Sequence, residues 1–220
     1  MGHAADHAHS GHSPFFQHHF IDMRQQASSA KLGMWLFLAQ EVLFFSVLFM
    51  AYFIFRTLYP ETWLVAHYKL DAALGGLNTV VLLFSSLTMA LAVRAAQVNA
   101  KKQQVIMLAV TIACAFVFLV VKYFEYMSKI GKGLLPGNLY SYSGDIPGAP
   151  ELFFTVYFCM TGLHGIHVVA GIIVLFWLLI RAGKGHFNSG YYSPMENVGL
   201  YWHLVDLVWI FLFPLLYLVK

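Results

Sequence analysis

The sequence predicts an all-α membrane protein, a polytopic bundle of five transmembrane helices. Only 10% of its 220 residues are charged and 60% are hydrophobic, with a mean hydropathy of +0.68, far from the balance of a soluble domain. Five apolar runs are each long enough, at about 1.5 Å per residue, to cross a hydrocarbon core about 30 Å thick. The net charge of +3 is dispersed along the chain, so no basic patch indicates a nucleic-acid partner.

Polar residues precede the first apolar run and divide the chain into two parts. Residues 1–31 are predicted to form a histidine-rich tail without the apolar core of a signal peptide, and residues 32–220 the transmembrane domain. The predicted spans are about 32–56, 71–94, 105–126, 151–181 and 198–219. Because imidazole titrates near pH ~6.5, the tail is a candidate proton antenna, with a solvated, unstructured tail as the alternative. The antenna residues are His3, His7, His9, His12, His18 and His19.

One acidic residue, Glu41, lies inside the first span. Helical periodicity places it among apolar side chains that include Phe37, Phe44 and Phe45. Such surroundings disfavour the charged form of a carboxyl group, and ionisable groups at membrane depth are usually functional. The sequence therefore predicts a protonated acid with a functional role, with a structural hydrogen-bonding acid as the alternative.

Two histidines lie near the middle of the fourth span, in the stretch FFTVYFCMTGLHGIHVVAG at residues 153–171. At about 100° per residue, His164 and His167 share one helix face, while Gly162 and Gly165 lie on the opposite face. The histidine face needs polar partners from another helix, and the glycine face favours close approach of a second backbone.

The fifth span also carries intramembrane polar residues. His203 and Asp206 are one helical turn apart, which predicts that they are partners. Pro214 is expected to kink the helix or break its hydrogen-bond ladder near the end, because proline has no backbone N–H.

Charged residues also follow the third apolar run. Lys122, Glu125 and Lys129 are spaced i, i+3 and i+7. This spacing predicts a ladder at the membrane interface, with the long lysine side chains reaching towards water.

The histidine positions argue against a redox centre in this chain. A haem held by two histidines needs ligands on opposite faces of its ring, normally from separate helices, whereas His164 and His167 share one face of one helix. Cys114 and Cys159 lie in separate apolar runs without CxxC spacing, so neither a dithiol nor a copper cluster is indicated. We therefore expect neither a bound cofactor nor a metal in this chain.

Four segments carry a resemblance to a known family, and it covers the chain from about Lys31 to the C-terminus. They occur in the order GMWLFLAQEVLFF, GLNTVVLLFSSLT, FFTVYFCMTGLHGIHVVAG and GLYWHLVDLVWIFLF. In this order they resemble the successive signatures of subunit III of the haem-copper terminal oxidases, a specific signal because four separate motifs agree.

The resemblance implies a non-catalytic core subunit of a respiratory haem-copper oxidase, such as cytochrome c oxidase. Such a subunit stabilises the catalytic subunit and supports proton uptake. It packs directly on subunit I, which carries haem and copper. It also accompanies subunit II and can hold structural phospholipid. Glu41 matches the family's intramembrane acid. The family's polar helix positions are matched by His164, His167, His203 and Asp206. The first two helices of the seven-helix form are missing, as in five-helix members.

A second functional class is an independent membrane proton or metal-ion transporter that uses Glu41 and the intramembrane histidines. Secondary transporters show inverted repeats or paired helices broken by Gly and Pro, and the sequence shows neither, which favours the oxidase subunit. The expected location is the bacterial cytoplasmic membrane. The basic turn at residues 94–102 favours a cytoplasmic N-terminus and, with five spans, a C-terminus on the periplasmic side.

Overall fold

The computed structural model describes residues 20–142 and 146–218. Five of its helices are long enough and apolar enough to cross a membrane, which confirms the predicted fold class. All six histidines of the predicted antenna lie outside the described residues. The helices are α1 (Met23–Leu58), α2 (Pro60–Ala66), α3 (Ala72–Gln97), α4 (Lys101–Gly131), α5 (Pro150–Gly183) and α6 (Ser193–Phe213). Short 3₁₀ turns cover His67–Lys69 and Gly137–Leu139, and a π-helical turn covers Pro214–Leu218.

The long helices extend beyond the predicted spans because their capping residues lie in polar sequence. The first helix begins at Met23 rather than at residue 32, since the Asp22 carboxylate accepts a hydrogen bond of 2.6 Å from the Gln25 N–H. At the start of α3, the Asp71 carboxylate likewise accepts from the N–H groups of Ala73 (3.0 Å) and Leu74 (3.1 Å). The predicted spans thus correspond to the apolar middle of each helix.

The sixth helix lies at the centre of the bundle, and the first lies at its edge. The last span contacts α3, α5 and α1, whereas α1 packs on α5, α6 and the short α2. Correspondingly, 44% of the 18-residue apolar segment of the last span is buried, whereas 22% of the corresponding segment of α1 is buried. Trp202 and Trp209 of α6 are fully buried and fill the space between the helices.

Close helix approach occurs at glycines other than those predicted. A Cβ on Gly171 would lie 2.7 Å from Cζ3 of Trp202, and one on Gly75 would lie 2.8 Å from Cε2 of Phe213. The predicted close approach at Gly162 and Gly165 is wrong within the described chain. The nearest atom to a Cβ at Gly162 is 3.8 Å away, and nothing described lies within 4 Å at Gly165.

The C-terminal end of the bundle changes geometry at Pro214. The α-helical ladder of α6 stops at Phe213, and the chain continues as the π-helical turn Pro214–Leu218, as expected where proline removes a backbone donor. The hydroxyl group of Tyr52 donates to the Leu215 carbonyl and ties this turn to α1.

Candidate functional site

Glu41 of α1 and His167 of α5 form a polar pair inside the bundle. Oε2 of Glu41 lies 2.9 Å from Nε2 of His167. Only 11% of the Glu41 side chain and 19% of the His167 side chain are exposed. The sequence predicted that the histidine face needed a polar partner and that Glu41 lay among apolar groups, and tertiary packing brings the two together.

Backbone geometry fixes which nitrogen of His167 faces Glu41. Its Nδ1 lies 2.7 Å from the Leu163 carbonyl oxygen, which can only accept, so Nδ1 carries a hydrogen and donates. In the neutral ring, Nε2 is then an acceptor, and the hydrogen between it and Glu41 belongs to the carboxylic acid. In the charged ring, the same hydrogen belongs to the imidazolium. Either way, one proton is shared between two groups.

Aromatic side chains shield this pair. The rings of Phe44 and Phe45 lie 5.9 Å and 5.0 Å from the His167 ring, centroid to centroid. The hydroxyl of Tyr201 donates to the His167 carbonyl oxygen at 2.9 Å, which joins α6 to the same turn of α5. The proton of the pair is therefore held in apolar surroundings near the exposed apolar side of α1.

His203 is paired differently from the prediction. Its Nδ1 lies 2.6 Å from the hydroxyl oxygen of Ser86 on α3. The same hydroxyl lies beside the Asp206 carboxyl, but among the described residues neither carboxylate oxygen has a partner with hydrogen-bond geometry, although only 2% of Asp206 is exposed. The predicted pairing of His203 with Asp206 is therefore wrong, because a hydroxyl on a neighbouring helix lies closer to the imidazole than the carboxylate one turn away.

His164 is the most enclosed of the predicted site residues, with 0% exposure. Its ring lies 5.6 Å from Phe118 and 5.3 Å from Trp209, centroid to centroid. Neither ring nitrogen has a hydrogen-bond partner in the described part of the chain. His164 and His167 therefore face different surroundings despite lying one turn apart.

A second polar cluster lies between α4, α5 and the π-helical turn, and it joins the three charged residues of the predicted ladder to two tyrosines that the sequence did not predict as their partners. Lys122 donates to the Glu125 carboxylate (2.9 Å) and to the Tyr217 hydroxyl (3.0 Å). The hydroxyls of Tyr157 and Tyr217 donate to the other Glu125 oxygen at 2.9 Å and 2.6 Å. Nζ of Lys129 lies 4.0 Å from that same oxygen. We call these five residues the lysine–glutamate cluster.

The predicted exposure of this ladder at the membrane interface is wrong. Lys122, Glu125 and Lys129 are 7%, 2% and 3% exposed. The helix α4 continues to Gly131, and the 3₁₀ turn His67–Lys69 covers its end, so the Lys129 ammonium donates to the Lys69 carbonyl at 2.9 Å instead of reaching water. A signal for this cluster was present in the sequence, because Tyr157 lies on the same face of the fourth span as His164 and carries a hydroxyl group that needs a polar partner.

The four motif segments pair their polar residues across helices. Glu41 of the first segment meets His167 of the third, and Ser86 of the second meets His203 of the fourth. In the described residues, no group of three or more His, Cys, Asp or Glu side chains is placed to share a metal ion. The Glu41–His167 and Ser86–His203 pairs consist of groups that can hold and exchange protons.

Comparisons with known proteins agree with the motifs. The family described as "Cytochrome c oxidase subunit III" matches residues 12–220. The chain is 31% identical to a cytochrome c oxidase subunit 3 from Thermostichus vulcanus over 192 residues, 85% of this chain and 86% of that protein. It is 31% identical to the Loxodonta africana subunit 3 over 211 residues, 92% of this chain and 73% of that protein.

A further relative is a fused protein. The chain is 30% identical to the "Heme-copper oxidase subunit I+III" of Aeropyrum pernix over 199 residues, which are 85% of this chain and 22% of the fusion. In that protein, by its name, subunits I and III belong to one polypeptide.

Proposed function

Because this chain belongs to the cytochrome c oxidase subunit III family, we propose that it acts as the non-catalytic core subunit III of a respiratory haem-copper oxidase. In this role it stabilises the catalytic subunit and supports proton uptake into it during oxygen reduction. The redox chemistry belongs to the partner subunits, which hold the haem and copper. The observation that carries the proposal is the Glu41–His167 pair, because it joins two family motifs through one shared proton at membrane depth.

The fused relative supports direct packing on subunit I. A subunit I+III polypeptide holds the two parts at high effective concentration, which favours a permanent contact between them. The proposed partners also include subunit II and structural phospholipid. The exposed apolar side chains of α1, such as Leu43, Val47 and Met50, suit contact with lipid or with a partner helix.

The proposed location is the bacterial cytoplasmic membrane, with the N-terminus in the cytoplasm and the C-terminus on the periplasmic side. The short turn between α3 and α4 supports this orientation, because it gathers Arg94, Lys101 and Lys102 on the side of the N-terminus. The histidine-rich tail then lies on the side from which protons are drawn, where it serves as the proposed antenna.

The test compares intact oxidase with oxidase assembled without this chain. We expect initial electron transfer to remain near normal, because no group of residues in the described part of the chain is placed to hold a metal ion, and we expect the number of turnovers before inactivation to fall. Proton uptake should slow at alkaline pH. Immediate loss of electron transfer, with the other subunits still assembled and their haems present, would contradict the proposed role.

A further inference from the structure

Three polar side chains in the centre of the bundle lack protein partners. Asn78 of α3, His164 of α5 and Asp206 of α6 are 0%, 0% and 2% exposed. Both polar side-chain atoms of each residue have no hydrogen-bond partner among the described residues. A buried donor or acceptor without a partner is costly, and such groups in native proteins usually bind ordered water.

The three side chains lie near one level of the membrane. Two contacts align α3 with α6, namely Thr79 with Trp209 (3.0 Å) and Ser86 with His203 (2.6 Å). Asn78 is adjacent to the first contact. Asp206 lies three residues from each α6 partner, or about 4.5 Å along the axis at ~1.5 Å per residue.

The contact of His164 with Trp209 places this third side chain at the same level of the membrane. The indole ring of Trp209 lies 5.3 Å from the His164 ring, between centroids, and its other neighbours include the Lys122 ammonium, 5.0 Å from the centroid. The Trp209 ring thus lies against Thr79 of α3, which is next to Asn78, and against Lys122 of α4 and His164 of α5.

We propose that Asn78, His164 and Asp206 bind a cluster of internal water molecules, at a site separate from the Glu41–His167 pair. Water fits the chemistry of the site because an amide and an imidazole each offer a donor and an acceptor, and a carboxyl group adds further acceptors. An internal water makes about three hydrogen bonds, which these atoms supply. Their near-complete burial excludes lipid chains and partner side chains as ligands.

A polar route leads from this water site towards one membrane surface. His203, one turn before Asp206 on α6, lines a cleft of about 290 Å³ that also includes Arg94 and Glu196. On its inner side, His203 contacts Ser86. The Ser86 hydroxyl also lies beside the Asp206 carboxyl, so the pair His203–Ser86 connects the cleft with the proposed water site and offers it a route for protons from the surface at the start of α6.

The direct test is a cryo-EM map of the intact oxidase at a resolution that shows ordered water. We expect discrete density within hydrogen-bond distance of Asn78, His164 and Asp206, with at least one peak bridging two of them. A map in which the three side chains pack against apolar groups without such peaks, or bond only to one another, overturns the proposal.

Variants provide an independent readout. Asn78→Leu and Asp206→Leu remove polar atoms at nearly constant shape, so each should weaken the density and lower the thermal unfolding temperature. The unfolding temperature of the double variant should fall little further than that of the more destabilised single variant, because both substitutions act on one shared cluster. Leu82→Met, on the same buried face of α3, is the matched control and should leave the density intact. Unchanged or raised unfolding temperatures in both single variants indicate a dry interior and contradict the proposal.

Discussion

At the scale of single residues, the Glu41–His167 pair shows how a membrane interior can hold a proton without a net charge. The Leu163 carbonyl fixes the hydrogen of Nδ1, so Nε2 faces the carboxyl group. The shared proton leaves the pair neutral overall whichever partner carries it. A neutral pair loses less solvation energy on burial than an isolated carboxylate.

Substitution of Glu41 distinguishes the forms of this pair. In Glu41→Gln, the side-chain amide can donate to the acceptor Nε2 of His167, so we expect near-normal assembly and thermal stability. In Glu41→Leu, that nitrogen is left without a partner, which should cost about 1–3 kcal/mol. Thermal unfolding of the purified oxidase measures both. A loss in the Gln variant of about 3–5 kcal/mol would instead identify a buried ion pair, whose imidazolium the amide cannot neutralise.

The glycines of α5 provide a matched comparison at the same scale. Gly171→Ala places a Cβ 2.7 Å from the Trp202 ring, which is fully buried and cannot move aside, so α5 and α6 must separate. We expect a loss of about 1–3 kcal/mol, as for other overpacked cores. Gly165→Ala meets nothing described within 4 Å and should be neutral, or stabilising by up to ~1 kcal/mol through helix propensity. Equal unfolding temperatures for the two variants would contradict the close packing at Trp202.

At the scale of elements, the lysine–glutamate cluster joins α4, α5 and the π-helical turn, beside the Tyr126–Thr161 hydrogen bond between α4 and α5. Lys122 and Glu125 come from α4, Tyr157 from α5 and Tyr217 from the π-helical turn. The turn follows the break at Pro214, where the regular ladder of α6 no longer holds the chain. Together with the Tyr52–Leu215 hydrogen bond, these side-chain hydrogen bonds fix the last turn onto the bundle.

Removal of one charge from this cluster should release that turn. Lys122→Met leaves the Glu125 carboxylate buried with two tyrosine hydroxyls and the more distant Lys129, and should cost about 3–5 kcal/mol. Hydrogen exchange of residues 214–218 should rise with it. The double variant Lys122→Met with Glu125→Gln should recover part of the loss because no unpaired charge remains.

The control for this experiment is Lys132→Met, because Lys132 lies just beyond α4 and is exposed. It should change stability by less than ~0.5 kcal/mol, as surface substitutions usually do. If Lys122→Met is as mild as the control, the cluster does not hold the C-terminal turn.

At the scale of the whole molecule, the titratable groups of the bundle are spread from the edge at α1 to the end of α4, and Trp209 lies between His164 and Lys122. The Glu41–His167 pair lies near the edge at α1, the proposed water site lies at the centre, and the lysine–glutamate cluster lies towards the end of α4. The proposed antenna precedes α1 in the sequence. Such an arrangement suits a subunit that supplies and buffers protons for a partner enzyme.

Removal of the tail tests the antenna. Deletion of residues 1–19 should slow proton uptake by the intact oxidase at pH 8, where free protons are scarce, and should have a smaller effect at neutral pH, where uptake from bulk water suffices. A variant with all six tail histidines changed to Gln should reproduce the deletion, because imidazoles are the groups that titrate near neutral pH. Proton uptake at pH 8 that is unchanged in both variants would exclude the antenna.

Local sequence patterns predicted the five spans, the acid and histidines inside them, and the order of the four motifs, because hydrophobic periodicity and membrane thickness act on local segments. Which polar groups meet depends on the packing of the helices. It paired Glu41 with His167 and His203 with Ser86, left Asp206 without its predicted partner, and buried Lys122 and Glu125. The reason is physical: periodicity assigns a side chain to a face of its own helix, whereas the partner depends on which helices pack together and in what register.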